Sequence, residues 1–303
     1  MSNIIDGAAI AAQIRAEIKV EVDALKASGS PIVPGLATML VGEDPASHAY
    51  VKSKHKACLE LGFNSFAYEL PASTSQEDLL KLVKELGARV DVHGILVQMP
   101  LPKHISEDAV IQAIPISKDV DGFHPHNLGL LGVKGKEAPF EACTPQGCIV
   151  LLERSGITIA GKRAVILGRS TIVGLPVSLM LLRRDATITV CHSRTPDLAS
   201  VTREADILIA AIGKANFVTA DMVKPGAVVI DVGINRIADP SKKSGSRLVG
   251  DVDYAAVSPL ASAITPVPGG VGPMTIAMLM KNTLRGMYQR IKNGSTDGEI
   301  PIR

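Results

Sequence analysis

The sequence is poor in aromatic side chains and in net charge, and both shortages narrow the functions it can have. It has no tryptophan, aromatic residues make up 3% of its 303 residues, and its formal net charge is +2. Single-stranded nucleic acid is bound by stacked aromatics and duplexes by a basic face, so we expect no nucleic-acid partner.

Long apolar runs and closely spaced cysteines are missing too. No run approaches the roughly 18 apolar residues of a membrane span, and the N-terminal residues lack the basic and apolar segments of a signal peptide. Four cysteines are present, at positions 58, 143, 148 and 191, without the spacing of a metal site. Such a cysteine content is typical of reduced thiols. We therefore predict a cytoplasmic protein with no membrane attachment.

Strand-like and helix-like segments alternate along the chain, which is typical of α/β domains with parallel sheets. The length exceeds the size at which one core usually stops growing, so two domains are expected. The stretch Gly129–Pro145 is rich in Gly, Pro and Lys, has no hydrophobic period and is the best candidate for a boundary. We predict a first domain over residues 1–142 and a second over 143–273.

The predicted strands are Leu36–Val41, Ser65–Leu70, Gly94–Gln98, Ala164–Leu167, Thr187–Cys191, Ile207–Ala210 and Val228–Asp231. The predicted helices run over about Asp6–Ser28, Ala46–Leu61, Gln76–Leu86, Glu107–Ile114, Gly174–Arg183, Asp197–Arg203, Ala220–Val223 and Met274–Lys292. Most have apolar residues at helical spacing or a polar cap at their start.

A glycine-containing turn follows the strand Ala164–Leu167 and leads into a helix. It reads Gly168-Arg169-Ser170-Thr171-Ile172-Val173-Gly174-Leu175-Pro176. Glycine lets the backbone approach a phosphate, and a helix N-terminus offers free N–H groups, so the turn suits a dinucleotide. Its spacing differs from G-x-G-x-x-G, and an ordinary βα turn stays an open alternative.

The end of the next strand indicates which dinucleotide is bound. NAD sites usually carry Asp or Glu there to bind the ribose 2′-hydroxyl. Here the strand ends in Val190-Cys191-His192-Ser193-Arg194-Thr195, with no acid. Arg194, with Arg169 from the first turn, suits a 2′-phosphate and favours NADP. Thr195 with Pro196 could instead cap the next helix.

The helix near Ala46–Leu61 carries Ser47, Tyr50 and Lys54 at positions i, i+3 and i+7, which share one face. A hydroxyl, a phenol and an amine on one face suggest chemistry, although, for this helix taken alone, a solvated surface is the favoured explanation. Gln98 ends a predicted strand, where open α/β sheets place ligands.

Three loops add further polar or backbone groups. Asp121 lies in the constrained turn Asp119–Pro125, and His124 with His126 forms a possible metal pair that lacks a third ligand, so we predict no metal. The dense loop Pro266–Thr275 precedes the last helix.

Taken together and in order, these segments resemble the methylenetetrahydrofolate dehydrogenase/methenyltetrahydrofolate cyclohydrolase family. The motifs are Tyr50-x-x-x-Lys54, Val97-Gln98-Met99-Pro100-Leu101-Pro102, Asp119-Val120-Asp121-Gly122-Phe123, Gly168-Arg169-Ser170 with Val173-Gly174-x-Pro176, Asp231-Val232-Gly233-Ile234-Asn235, and Pro268-Gly269-Gly270-Val271-Gly272-Pro273-Met274-Thr275. Each motif is modest alone, but their joint occurrence is highly specific.

The resemblance implies an N-terminal catalytic α/β domain, a Rossmann-like NADP domain, an active site in the cleft between them, and a homodimer. The last helix, 274–292, would complete the first domain. The family oxidises 5,10-methylenetetrahydrofolate with NADP and hydrolyses the methenyl product to 10-formyltetrahydrofolate, which supplies one-carbon units for purine biosynthesis.

The resemblance also assigns roles. Lys54 is the general acid/base, Gln98 orients Lys54, Tyr50 stacks on the folate and Asp121 grips the pterin. The expected substrate-binding residues are Tyr50, Ser47, Val97, Gln98, Asp121, Pro268, Gly269, Gly270 and Val271. The expected cofactor-binding residues are Gly168, Arg169, Ser170, Val173, Gly174, Pro176, His192, Ser193, Arg194, Thr195 and Ile234.

Two rival functions share the cofactor turn. Another two-domain NADP dehydrogenase, of the shikimate or amino-acid type, would need no group formed by Tyr50, Lys54 and Gln98. A non-catalytic NADP-binding regulator would tolerate the loss of Lys54.

Overall fold

A computed structural model describes residues 3–242 and 245–294. The chain divides into two compact units, each built around one parallel sheet. Among the described residues, the three-stranded unit comprises Arg15–Asn127 and residues 279–294, and the six-stranded unit comprises residues 3–14 and the described part of Leu128–Met278. In the described part of the chain, no helix is both long and apolar enough to cross a membrane.

The three-stranded unit has strands β2 (Gly35–Val41), β3 (Asn64–Leu70) and β4 (Gly94–Val97), in the order β3-β2-β4. All are parallel, and every residue of β2 is buried, which explains why β2 is an almost continuous apolar run. Helices α2 (Pro45–Leu61), α3 (Gln76–Ala88) and α4 (Glu107–Ala113) connect or follow the strands, and a short 3-10 helix covers Ile116–Lys118. Leu79, Val83 and Leu86 of α3 pack against Met39 and Ile95 in one core.

Helix α2, which carries Lys54, has capping residues at both ends, and they determine where the helix starts and stops. Asp44 accepts a hydrogen bond from the Ser47 backbone N–H at 2.8 Å, and Pro45 occupies the first turn. At the other end Gly62 adopts a left-handed conformation with φ 76°.

The six-stranded unit has the strand order β1-β11-β8-β7-β5-β6, all parallel. The strands are β1 (Asn3–Ile4), β5 (Arg163–Leu167), β6 (Thr187–Cys191), β7 (Ile207–Ala210), β8 (Val228–Asp231) and β11 (Ala263–Ile264). The chain goes outward from β5 to β6 and returns to β7 on the other side of β5. This reversal is the switch point at which doubly wound sheets bind ligands, beyond the carboxyl ends of the strands.

Helices α6 (Cys143–Arg154), α7 (Gly174–Leu182), α8 (Leu198–Thr202) and α9 (Tyr254–Val257) and the antiparallel pair β9 (Asn235–Ala238) and β10 (Ser246–Val249) belong to this unit. Each predicted strand is present, and the α/β fold with a Rossmann-like parallel sheet is confirmed.

The segment predicted as an aperiodic boundary, Gly129–Pro145, is largely structured. Helix α5 (Pro125–Leu131) ends within it, α6 begins at Cys143, and Phe140 between them is fully buried. Sequence reasoning missed α6 because Pro145 and Gly147 interrupt its pattern. Pro145 is tolerated in the first turn. Gly147 lets α6 approach the last helix, which contains Met274, since a Cβ on Gly147 would lie 2.9 Å from the Cβ of Met274.

Two helices contribute residues to both units. Helix α1 (Gly7–Ala27) starts in the six-stranded unit, and α10 (Val271–Gly294) starts there and passes at Leu279 into the three-stranded unit. In the latter, Asn282 Nδ2 donates to the Val120 carbonyl at 2.8 Å, and Met280, Leu284 and Met287 are buried. The unit limits thus differ from the predicted ranges 1–142 and 143–273 at the N-terminus and at residues 128–142, because β1 pairs with β11.

Candidate active site

Lys54 is buried, which decides against the solvated-surface interpretation of its helix face. Its exposed fraction is 6%, and its Nζ donates to Gln98 Oε1 at 2.9 Å. The Gln98 Nε2 donates in turn to the Met99 carbonyl at 2.7 Å, which fixes the orientation of the amide. Helix α2, which carries Lys54, follows β2, and β2 pairs with β4, which Gln98 follows directly. This pairing of strands brings the Lys54 amine to the carboxyl end of β4.

A neutral partner matters for the chemistry of this amine. A carboxylate in place of Gln98 would stabilise the charged form of Lys54 and hold it protonated. An amide oxygen accepts a hydrogen bond without adding a charge. The pair is therefore suited to an amine that must gain and lose a proton.

The other substrate residues predicted in this unit differ in exposure. Ser47 is 5% exposed and lies with Lys54 on α2, whereas Tyr50 is 36% exposed. Val97, the last residue of β4, is buried directly before Gln98. Tyr50 lies one helical turn before Lys54 with its ring partly exposed, and its stacking on the folate stays a prediction.

Asp121 lies in a turn held by a neighbouring carboxylate that sequence reasoning left without a role. Asp119 is 1% exposed and accepts hydrogen bonds from the backbone N–H groups of Phe123, at 3.3 Å, and His124, at 2.8 Å, and from Asn127 Nδ2, at 2.7 Å. Burial, with a smaller contribution from the negative charge of Asp121, raises the pKa of Asp119 to about 6. The backbone N–H bonds explain why this buried carboxyl is tolerated.

A pocket of about 350 Å³ lies at the switch point of the six-stranded sheet. It is lined by Leu167, Gly168, Arg169, Ser170, Cys191, His192, Ser193, Leu198, Ala211, Ile212, Lys214 and Phe217. Five of the predicted cofactor residues are among these, and no acidic side chain lines the pocket in the described chain. The pocket has the donors and the size class of a small-molecule site.

Two glycines give the first turn its shape. Gly168 has φ 111°, and a Cβ there would overlap the carbonyl oxygen of Ala211, while a Cβ on Gly174 would overlap the carbonyl oxygen of Gly168. Gly174 and Pro176 are buried and shape the turn without lining the pocket. Val173, which precedes α7, and the exposed Arg194 also lie outside the lining, so their roles stay predictions.

Thr195 closes the turn after β6, since its Oγ1 accepts a hydrogen bond from the His192 backbone N–H at 3.0 Å. The alternative that Thr195 caps the next helix is wrong, because Asp197 is the N-cap of α8 and accepts a hydrogen bond from the Ser200 N–H at 3.4 Å. The capping position therefore lies two residues further along the chain than expected.

A pair of buried carboxylates, missed by sequence reasoning, holds the far wall of this pocket. Asp251 accepts hydrogen bonds from the backbone N–H groups of Ile212, Gly213 and Lys214 at 2.7–2.9 Å. Asp231 accepts hydrogen bonds from the N–H groups of Asp251 and Gly233, both at 2.9 Å. Gly-Asp and Asp-x-Gly sequences after apolar strands were the available signal.

The predicted folate loop, Pro268, Gly269, Gly270 and Val271, belongs to the six-stranded unit and leads into α10. The Ala8 N–H donates to the Gly269 carbonyl at 2.8 Å. Ile234, predicted to contact the cofactor, is 49% exposed. It lies near the residue that follows this loop, Gly272, because a Cβ placed on Gly272 would be 3.7 Å from Ile234 Cδ1. Within this unit, residues predicted for the cofactor and for folate are thus adjacent.

The two buried carboxyls Asp119 and Asp231 give a pH prediction. Burial raises the pKa of Asp231, like that of Asp119, to about 6 from 3.8. The folded state therefore holds these protons at a pH where the unfolded chain has released them, so the free energy of unfolding falls as pH rises from about 4 through 6. Carboxyl ¹³C NMR should give both midpoints near pH 6. Midpoints near 4 for both groups would contradict this, and Asp119→Asn should flatten the pH slope measured in urea.

Comparison with known proteins places these features in one family. Residues 142–291 match the family model "Tetrahydrofolate dehydrogenase/cyclohydrolase, NAD(P)-binding domain", and residues 5–121 match the catalytic domain of the same family. Bifunctional protein FolD of Chlorobium limicola is 59% identical over 96% of this chain and 99% of its own. Bifunctional protein FolD 2 of Arabidopsis thaliana is 58% identical over 94% and 95%.

A solved structure agrees in fold. The Trypanosoma brucei methylenetetrahydrofolate dehydrogenase-cyclohydrolase, complexed with NADP cofactor and inhibitor, superposes with a TM-score of 0.92 at 43% identity, covering 96% of this chain and 99% of that one. With both domain models matched and relatives of this identity covering nearly the whole sequence, this chain belongs to the tetrahydrofolate dehydrogenase/cyclohydrolase family.

Proposed function

We propose that this chain oxidises 5,10-methylenetetrahydrofolate to the methenyl form with NADP and hydrolyses that product to 10-formyltetrahydrofolate. Family membership and the switch-point pocket support the first reaction. The buried Lys54–Gln98 pair carries the proposal for the second, because it supplies an amine for proton transfer that the neutral amide of Gln98 holds in place at 2.9 Å.

The dehydrogenase reaction needs mainly alignment. NADP, when bound, accepts the hydride, and the developing methenyl cation is stabilised by its own nitrogens, so the protein contributes positioning. Gly168, Arg169, Ser170, His192 and Ser193 would hold the cofactor at the switch point. Tyr50 and Asp121 would position the pterin, and the Pro268–Val271 backbone would line the folate pocket.

The hydrolysis needs proton transfer. Water adds to the methenyl carbon and loses one proton to Lys54, which leaves a neutral hydroxyl adduct. The adduct then breaks its bond to N5, which takes up the proton from Lys54, while the hydroxyl forms the formyl C=O and releases its own proton to solvent. Lys54 can perform both transfers only if it is neutral for the first, which the neutral amide of Gln98 permits. Gln98 also holds Lys54 in one orientation.

One coupled assay tests the proposed activity as a whole. Methylenetetrahydrofolate and NADP should give NADPH and then 10-formyltetrahydrofolate, and NAD should be the poorer replacement. A shikimate-type dehydrogenase would instead reduce NADP with shikimate, and a non-catalytic regulator would bind NADP without turnover. Absence of NADPH with folate substrate would overturn the proposal.

The choice of NADP gives a prediction for Arg169. Replacing Arg169 with Ala should weaken NADP binding by about 10-fold or more and NAD binding little, because only NADP carries the 2′-phosphate and a charge-assisted hydrogen bond contributes about 1.5–3 kcal/mol. Arg163→Ala is the matched control, since Arg163 is an exposed arginine of β5 paired with Glu204 at 2.6 Å. Equal losses for NADP and NAD would show that Arg169 does not read the phosphate.

The proposal also covers the oligomeric state, the use of the product, the cellular compartment and the absence of a nucleic-acid partner. The family resemblance supports a homodimer and a role of the product in purine biosynthesis. Four cysteines, all buried and in the thiol form, suit the reducing cytoplasm. The near-neutral charge and the 3% aromatic content argue against a nucleic-acid partner.

A further inference from the structure

The three-stranded unit contains a second pocket, of about 370 Å³, beside the amino end of β4. Gln98 of the proposed active site follows the opposite, carboxyl end of that strand. The polar residues that line the pocket include Arg89, His93, Ser117, Lys118 and Arg290. No residue proposed above for catalysis or for substrate binding lines it, among those that the structure describes.

His93 presents a buried donor that has no use within the fold. It is 2% exposed, and its Nδ1 accepts a hydrogen bond from the Gly35 backbone N–H at 3.0 Å. An accepting Nδ1 is unprotonated, so the neutral ring carries its proton on Nε2. Burial, with the charges of Arg290 and Lys118, lowers the pKa of His93 to about 4 and keeps the ring neutral. Nε2 is buried without a hydrogen-bond partner in the described chain.

Two cations stand at the same pocket. Lys118 is 8% exposed, and its Nζ donates to the carbonyls of Leu86 at 3.2 Å and Arg89 at 2.6 Å. Arg290 donates to the Val90 carbonyl at 2.6 Å. Burial, together with repulsion by Arg290, lowers the pKa of Lys118 to about 8. The positive charges of Lys118 and Arg290 therefore repel each other in the folded protein.

The carboxylate nearest this cluster is already engaged. Asp91 pairs with Arg89 at 2.7 Å through the guanidinium, so these two charges largely compensate. Within the described residues, neither Lys118 nor Arg290 has a carboxylate within ion-pair distance. The pocket therefore keeps an excess of positive charge.

Capping of α3 is the simpler explanation of the cations, since Leu86 and Arg89 lie at the end of that helix. It accounts for the bonds of Lys118 and Arg290 to carbonyls. It does not account for the unused N–H of His93, for the third N–H of Lys118 or for the open volume of the pocket that both residues line. A bound water would serve His93 but would leave both charges uncompensated.

We infer that this pocket binds a small phosphate-bearing anion, with Lys118, Arg290 and the Nε2–H of His93 as donors. A phosphoryl group carries up to two charges and several acceptor oxygens, which matches two cations and a neutral donor. A carboxylate matches only one of the cations. The site is separate from the cofactor pocket, which belongs to the other unit.

Calorimetry with inorganic phosphate tests the inference. The titration uses protein saturated with NADP, so that the cofactor's own phosphate site is filled, at constant ionic strength. We expect saturable binding that weakens about 10-fold or more in Lys118→Met and changes less than about twofold in Lys81→Met, an exposed lysine of α3. Binding should also weaken as pH rises through about 8, where Lys118 loses its proton.

Acetate, titrated in the same way, separates phosphate recognition from general anion attraction. Acetate that binds as tightly as phosphate, or phosphate binding that Lys118→Met leaves unchanged, would overturn the inference. If Lys118→Met fails to fold because the bonds to the α3 carbonyls are lost, wild-type crystals with NADP can be soaked in selenate. An anomalous peak within hydrogen-bond distance of Lys118 Nζ and His93 Nε2 supports the site, and its absence overturns it.

Discussion

Replacing Lys54 with Met is expected to slow the hydrolysis of methenyltetrahydrofolate by roughly 100-fold or more, the usual contribution of general acid–base catalysis. Methionine keeps the length and the apolar stem of the side chain in its buried position but removes the amine that donates to Gln98 at 2.9 Å. Hydride transfer moves no proton through Lys54, so some dehydrogenase activity should survive if the folate remains aligned. Both rates can be measured separately by absorbance.

The same helix supplies a matched control for this variant. Lys56 has a side chain 76% exposed and pairs with Glu60 one turn along α2, so Lys56→Met should leave both rates within about twofold. NADP affinity should change little in either variant, because Lys54 and Lys56 lie outside the unit that holds the cofactor pocket. Near wild-type hydrolysis by Lys54→Met would show that Lys54 is only a buried structural amine.

Replacing Gly168 with Ala should weaken NADP binding by roughly 100-fold, with a matching loss of dehydrogenase kcat/KM. At φ 111° an L-residue is strained, by about 1–2 kcal/mol. The added Cβ would also overlap the carbonyl oxygen of Ala211, a backbone atom that cannot rotate away, and overpacking typically costs a further 1–3 kcal/mol. If the free turn shifts to relieve these costs, NADP binding must restore its shape, and a restoring cost of about 2.8 kcal/mol corresponds to two decades in Kd.

Gly161→Ala separates the overlap from the backbone strain. Gly161 lies two residues before β5 with φ 74°, and nothing lies within 4 Å of a Cβ placed there. It should lose some stability but keep NADP affinity within a few fold. Equal NADP binding by Gly168→Ala and Gly161→Ala would contradict this prediction. It would show that the shape of the pocket does not depend on the close packing of Gly168 against Ala211, which follows β7.

Sequence patterns located the elements with a regular period and missed those without one. The strands of both sheets alternate with helices that carry an apolar stripe, and these were predicted to within a few residues. Helix α6 was missed because Pro145 and Gly147 hide its stripe, and the two-residue strands β1 and β11 are too short for any periodicity. Both of these strands exist only because the sheet offers them a partner.

The candidate site shows the same limit at the level of single side chains. Lys54 and Gln98 are 44 residues apart, and only the motif resemblance linked them before the structure placed them 2.9 Å apart. Asp231 and Asp251 had only the short Asp-x-Gly and Gly-Asp sequences as a signal, and Asp119 had none, since a carboxylate that accepts backbone N–H bonds looks like any loop acid in the sequence. Their function in holding loops depends on which N–H groups the fold brings to them.

The sequence alone determined the α/β class, the glycine turn after β5 and the absence of an acid after β6, because these follow from local periodicity and from residue types at fixed offsets. Tertiary structure decided that Lys54 is buried, that residues 3–14 join the six-stranded unit, and that Lys118 and His93 line one pocket with Arg290, which lies 172 and 197 residues further along the chain. The physical reason is that burial, pKa and charge balance depend on contacts between distant segments, and a linear pattern does not specify those contacts.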